Sequence, residues 1–291
     1  KNDKIKCLQY LSIFSVEAEC ESWTERNPKL PSADTTLKLV LHFTNLTHLS
    51  LRSPMLNNEI ILELSSKKRS RLCYFQILIV YSRDSIFQEG YKLPEISSNS
   101  WKALKMSSPE LQVEYLVLTR IPQEQLSLML APEVPLSSLR ILQYGKCDQE
   151  LMENLIDKYK HSLEKFICLC DSTDCDQALI KLVMNCTRLQ HIVYHGNIHQ
   201  RTIVKMAEAI KKAGVKLSCF EFKEKNIQTV NSASEDGRDD DVVVAKDAEE
   251  DEYYLVGLRS WHQDEDEHRH ILSLMIENVS HALGYRWQPV T

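Results

Sequence analysis

Along this chain a spacing of apolar, two residues, apolar, one residue, apolar recurs at Leu46-Leu49-Leu51, Leu72-Phe75-Ile77, Val113-Leu116-Leu118, Leu136-Leu139-Ile141, Leu163-Phe166-Cys168, Leu189-Ile192-Tyr194 and Leu217-Phe220-Phe222. The closing alternation has the period of a strand, in which successive side chains point to opposite faces. A polar turn and a 3.6-period segment follow. Leu151, Leu155, Ile156 and Tyr159 share one helix face, as do Ala178, Leu179, Leu182 and Val183, and again Ile203, Ala207 and Ile210. The pattern predicts a repeated strand, turn and helix, with Leu8-Leu11-Ile13 and Leu37, Val40 and Leu41 as an earlier copy.

The leading residues at 46, 72, 113, 136, 163, 189 and 217 are 26, 41, 23, 27, 26 and 28 residues apart. Intervals of roughly 20–29 residues mark leucine-rich repeats, whose units cannot bury both strand and helix alone and so must stack. The expected fold is therefore α/β: a leucine-rich-repeat solenoid of strand-turn-helix repeats, with a parallel concave sheet, convex helices and a C-terminal helical cap. Its expected span is residues 1–230, with an irregular start over 1–45 and an insertion at about 84–106. Glu89-Gly90, Pro94 and Ser97-Ser98-Asn99-Ser100 give that insertion turn chemistry, and it is expected to project from the edge. Residues 231–252 carry a dense acidic run, expected to be a disordered loop because like charges repel and bury little. The cap is expected over 253–291, a strand at Tyr253-Tyr254-Leu255-Val256 and a helix bearing Ile271, Leu272, Met275, Val279, Ala282 and Leu283, with Tyr285-Arg286-Trp287 pinning the terminus.

Composition narrows the function. A net charge of -6 argues against nucleic acid, which needs concentrated Lys and Arg. No apolar run reaches the length of a membrane span, and Lys1-Asn2-Asp3-Lys4 opens no signal peptide. The chain starts without Met and is read as the C-terminal portion of a longer protein. Nine cysteines, most of them on the repeat pattern, read as reduced core thiols in a cytoplasmic or nuclear setting. The sequons at Asn45, Asn185 and Asn278 are discounted in favour of that setting.

Candidate chemistry is sparse, and no catalytic residue, cofactor site or metal site is assigned. Cys168, Cys170, Cys175 and Cys186 lie near His191, His195 and His199, but not at the paired spacing of structural zinc. Cys168 is expected to point inward and Cys170 outward. No Gly-x-Ser-x-Gly, phosphate-cradling Gly-rich loop or His-Glu-x-x-His occurs. Lys67-Lys68-Arg69-Ser70-Arg71 reads as a solvated loop, with nuclear targeting as its alternative. The remaining candidate is the concave face. Strand alternation selects His48, Arg52, Tyr74, Gln76, Tyr115, Val117, Arg140, Lys165, His191, His195, Glu221 and Lys223 as protein-binding residues. Tyr and Arg dominate interface energetics, so this stripe suits capture of a protein.

Leu163-Glu164-Lys165-Phe166 followed by Leu182-Val183-Met184-Asn185-Cys186-Thr187-Arg188-Leu189 resembles the cysteine-containing repeats of F-box leucine-rich-repeat proteins, in which a helix ends in Cys and the next strand's Leu follows three residues later. The irregular repeat lengths, acidic loop and final helix resemble the F-box-only proteins with degenerate repeats. The resemblance covers roughly residues 46 to 230 and implies a non-catalytic substrate receptor of an SCF-type ubiquitin ligase. An F-box upstream of this chain would hold Skp1 and the cullin, while the solenoid holds the substrate protein. A scaffold or inhibitor unrelated to ubiquitin is the alternative.

Overall fold

A computed structural model of the chain describes residues 8–13, 31–79, 93–119, 121–229 and 269–291. Strands β1 (Tyr10–Ser12), β2 (His48–Arg52), β3 (Tyr74–Ile79), β4 (Gln112–Thr119), β5 (Leu136–Tyr144), β6 (Lys165–Cys168) and β7 (His191–Tyr194) alternate with helices. After β8 (Ile198–His199) comes β9 (Cys219–Phe222), then β10 (Ile227–Gln228). Strands β1 to β7 and β9 form one open sheet of eight, every neighbouring pair parallel and in chain order; β8 and β10 make a separate small pair. The helices are α1 (Ala33–His42), α2 (Asn58–Leu64), α3 (Ser98–Ser107), α4 (Gln123–Met129), α5 (Gln149–Tyr159), α6 (Asp176–Asn185) and α7 (Gln200–Ala213), and residues 269–283 are also helical. The expected α/β class with a parallel sheet is present. The acidic run at 231–252, the strand expected at 253–256 and the first part of the insertion, up to residue 92, lie outside the described residues.

Local chemistry starts and stops these helices. Ser32, Asn57, Ser97 and Asp148 each accept a backbone N–H three residues on, satisfying donors that the first turn leaves orphaned. Helix α7 ends on Gly214, whose φ of 65° is left-handed and costs a residue without Cβ little.

One core lies between the sheet and the helices. Register aligns Leu51, Ile77, Tyr115, Leu139, Phe166, Ile192 and Phe220 in one cross-strand row, and Ile79, Val117, Ile141, Cys168, Tyr194 and Phe222 in the next. These rows and the apolar faces of α1 to α7 belong to the same buried cluster, so the helices all cover one face. Each fully buried large apolar side chain stabilises by about 1.5–3 kcal/mol, which makes this layer the main source of stability.

Two sequence expectations fail here, for stated reasons. Tyr115 and Val117 were expected on the open face, but both are in the core; Tyr115 is 0 % exposed and its hydroxyl donates to the Met129 carbonyl at 2.8 Å. Strand β5 carries one extra residue, Ser137, where the register with β4 shifts, so Leu136 sits beside Val113 and Leu139 beside Tyr115. Strand β4 has no such residue and alternates strictly, and a one-residue slip moves every side chain to the other face. Secondly, α3 does not project. Trp101 and Leu104 are buried with Leu93 and Ile96 in the main core, making α3 the crossover helix between β3 and β4.

The basic run is also more structural than its composition suggests. Arg69, its side chain 2 % exposed, donates from its two terminal nitrogens to the Val40 and Phe43 carbonyls, each at 2.6 Å, and pairs with Glu63 at 3.2 Å. A planar fork suits two carbonyls at the end of α1, and burial lowers the Arg69 pKa despite the Glu63 contact.

The far edge of the sheet is covered. The buried Trp287 donates its indole N–H to the Phe220 carbonyl at 2.6 Å, and the Val290 N–H donates to Phe222 at 2.9 Å. These contacts occupy the open side of β9, where unpaired backbone would otherwise invite another strand.

Candidate functional site

The face of the sheet turned away from the helices is built by the second set of alternating residues. Its best-ordered feature is Glu114, which sequence analysis missed. The residue is 3 % exposed although it faces away from the helices. Register puts Gln76 and Ser138 directly beside it on β3 and β5. The Tyr74 hydroxyl donates to its Oε2, as does the Gln76 amide at 3.2 Å; Ser138 Oγ donates to Oε1 at 3.3 Å. Arg140 Nε lies 2.5 Å from Oε1, a close ion pair in which the N–H is not aligned for a hydrogen bond. A buried carboxylate is costly unless each lone pair is engaged, and here four side chains from two neighbouring strands engage it. The result is a fixed polar platform. Its signal in the sequence is parity: Glu114 is the one charged residue in Val113-Glu114-Tyr115-Leu116-Val117-Leu118, and it faces away from the core, so 113, 115 and 117 face in.

On either side of this platform the face changes character. Toward β1, Tyr10 stacks on His48 with ring centroids 4.2 Å apart, and His48 lies 6.1 Å from Tyr74. Thr47 Oγ1 is 2.9 Å from His48 Nδ1 and orients the ring. Arg52 is buried at the end of β2. Leu78, Leu116 and Leu118 form a second, small buried cluster with Leu142, separate from the main core.

Toward β9 the face becomes basic. Lys165 on β6 and His191 on β7 are directly paired, and Arg140 stands two residues along β5 from the partner of Lys165. Burial lowers the His191 pKa, with Lys165 and then Arg140 adding to the effect, and its buried Nδ1 has no hydrogen-bond partner. Half-buried Ile167 and Val193 follow in the next row. His195 Nε2 contacts Glu221 Oε1 at 2.9 Å, and the Asn226 amide donates to the His195 carbonyl. Lys223 lies just past β9, where its backbone bridges to Val290. Of the expected face residues the structure thus brings His48, Tyr74, Gln76, Arg140, Lys165, His191, His195 and Glu221 onto one surface, and removes Tyr115 and Val117.

The buried cysteines lie on the other side of the sheet. Cys147, Cys168, Cys170 and Cys175 are buried together, with Cys168 and Cys170 sulfurs 3.4 Å apart, so Cys170 does not point outward as expected. Residues two apart on an extended chain share a face, so Cys170 follows Cys168 into the core. Ser172 donates to the Tyr194 hydroxyl at 2.9 Å beside this cluster. Hydrogen bonding to Cys168 and Cys175, with burial, pushes the Cys147 thiol well up, and burial alone pushes Cys186 up to about 12. The same hydrogen bonds pull the other side down: Cys147 lowers both Cys168, well below the free thiol, and Cys175. Among the described residues no group of three or more His, Cys, Asp and Glu is arranged to hold a metal ion, and no described helix is long and apolar enough to cross a membrane.

No family model matches the chain, and no curated protein matches it.

Proposed function

We propose that this chain is a leucine-rich-repeat recognition module that captures a protein on the face of its sheet turned away from the helices, and that it serves as the substrate-receptor portion of an SCF-type ubiquitin ligase. The observation that carries the recognition role is the Glu114 platform. A buried carboxylate held by Tyr74, Gln76, Ser138 and Arg140 stabilises little compared with an apolar alternative, yet it fixes the positions of an aromatic, an amide and a guanidinium on an otherwise open surface. Strand order equal to chain order, with helices confined to one face, supports the repeat reading. The ligase role rests on the resemblance at 163–189 alone. In that role the module raises the local concentration of substrate lysines near a ubiquitin-charged enzyme, and partner enzymes supply the chemistry.

The test is proximity labelling in cells with the endogenous protein tagged at its C-terminal end, beside a His48→Glu, Ile167→Glu variant whose fold is checked by thermal melting. The proposal expects Skp1, a cullin and at least one further protein, with only the further protein lost in the variant. A lost partner without ligase subunits would leave a scaffold or inhibitor. Partners unchanged by a folded variant would overturn recognition by this face.

A further inference from the structure

We infer that Arg140, Lys165 and His191 form a subsite for one anionic group, a carboxylate or phosphoryl oxygen, carried by a protein segment that also offers an aliphatic side chain to Ile167 and Val193. The inference rests on the open face being the binding surface and names what that surface takes.

Three observations converge. Lys165 and His191 are register partners on adjacent parallel strands, about 5 Å apart at the backbone, and both side chains leave the sheet on the same face. Neither has an ion-pair partner, while the nearby carboxylates are engaged elsewhere: Glu114 by Arg140 and its three hydrogen-bond donors, Glu221 by His195, and Glu164 by Arg188. On the far side of His191 the next residue in the row is Cys219, which is neutral as a thiol. Lys165 is therefore left without a local counter-charge, and Arg140 beside it shares Glu114 with three neutral donors. The third observation is the Arg140 guanidinium, whose side chain stays 40 % exposed while its Nε is set against Glu114. A planar guanidinium engaged along one edge still presents N–H donors from its other nitrogens to an arriving oxygen. A bound oxygen would also offset the lowering of the His191 pKa, which comes first from burial and then from Lys165 and Arg140.

A polyanion does not fit the same surface. The row that contains Arg140 continues through apolar Ile167 and Val193 to the acidic Glu221, and the chain as a whole carries a net charge of -6. One anion beside one aliphatic group, spaced as strand neighbours two residues apart, is a peptide-like ligand.

The experiment follows the imidazole carbon signals of the histidines by NMR in the whole chain, with His191 assigned by His191→Gln, during titration with inorganic phosphate and, separately, acetate. Two octapeptides, one of glutamates and one carrying a single phosphoserine beside leucine, separate the two sources of the anion. We expect His191 to shift saturably and its titration midpoint to rise, with apparent affinity falling about tenfold or more in Lys165→Gln. Preference for the phosphoserine peptide assigns a phosphorylated partner; preference for glutamate assigns an acidic one. No His191 shift, or equal shifts in wild type and Lys165→Gln, overturns the subsite. Because this readout needs no cellular partner, its failure alongside a lost partner in the labelling experiment would leave the recognition role standing.

Discussion

Replacing Tyr115 separates two placements of the same residue by several kcal/mol. As a face residue it would tolerate truncation with little loss of stability. As a core residue it fills space between the sheet and α4 and satisfies the Met129 carbonyl. Tyr115→Phe keeps the ring but strands that buried carbonyl, at a cost of about 1–3 kcal/mol. Tyr115→Ala also removes the ring, for about 3–5 kcal/mol, which brings the total to roughly 4–8 kcal/mol. At about 2–4 °C per kcal/mol for a chain of this size, the melting temperature should fall by roughly 8–32 °C. Urea unfolding followed by circular dichroism gives the free energies. Tyr144→Ala is the control, since Tyr144 is largely exposed and its loss should stay within about 0.5 kcal/mol. If Tyr115→Ala were no worse than Tyr144→Ala, the register of β4 described above would be wrong.

Arg69→Lys should cost about 2–3 kcal/mol, because an ammonium cannot reach both the Val40 and Phe43 carbonyls, and hydrogen exchange should rise first in α1; unchanged exchange there would remove the capping role. Trp287→Ala should destabilise by about 3–5 kcal/mol and expose the β9 amides, whereas Trp287→Phe should cost about 1 kcal/mol for the lost bond to Phe220; protected β9 amides in the alanine variant would refute this. Burial raises both the Tyr115 and Tyr159 phenols above the free value. A raised folded pKa means that their contribution is complete below about pH 10 and is lost as pH climbs beyond it. Urea midpoints between pH 8 and 11.5 should fall at the alkaline end, and less steeply in Tyr115→Phe; identical slopes would count against the effect.

Much of the fold was legible because strands such as β6 and β7 open on a polar residue, Lys165 or His191, that sets the parity of the core-facing residues after it. Phe166 and Cys168, or Ile192 and Tyr194, leave little choice of parity, and the buried faces of α5, α6 and α7 match their 3.6-residue spacing. Strand β4 is different because it is apolar on both faces, packing helices on one side and Leu78, Leu116 and Leu118 on the other. A pattern carried over from bulged β5 therefore chose the wrong parity. The Glu114 platform was illegible for another reason: its hydrogen bonds join residues 24 to 40 apart in sequence, and no local spacing encodes them. Arg69 was lost to its company, since its charged neighbours in the run suggest solvent while its own guanidinium ends a helix.

Because strands follow one another in space as they do along the chain, a force applied to the two ends would meet the units in series. Among the described residues the N-terminal edge pairs with β2 through the three-residue β1 and its flanking Gln9 and Ile13, whereas the C-terminal edge is clamped by Trp287 and Val290. Extension should therefore begin at the N-terminal edge and advance one strand and helix at a time, as a sawtooth of small steps rather than one large rupture. A module of this kind could give up its first units under tension while the basic end of its sheet stayed folded and occupied.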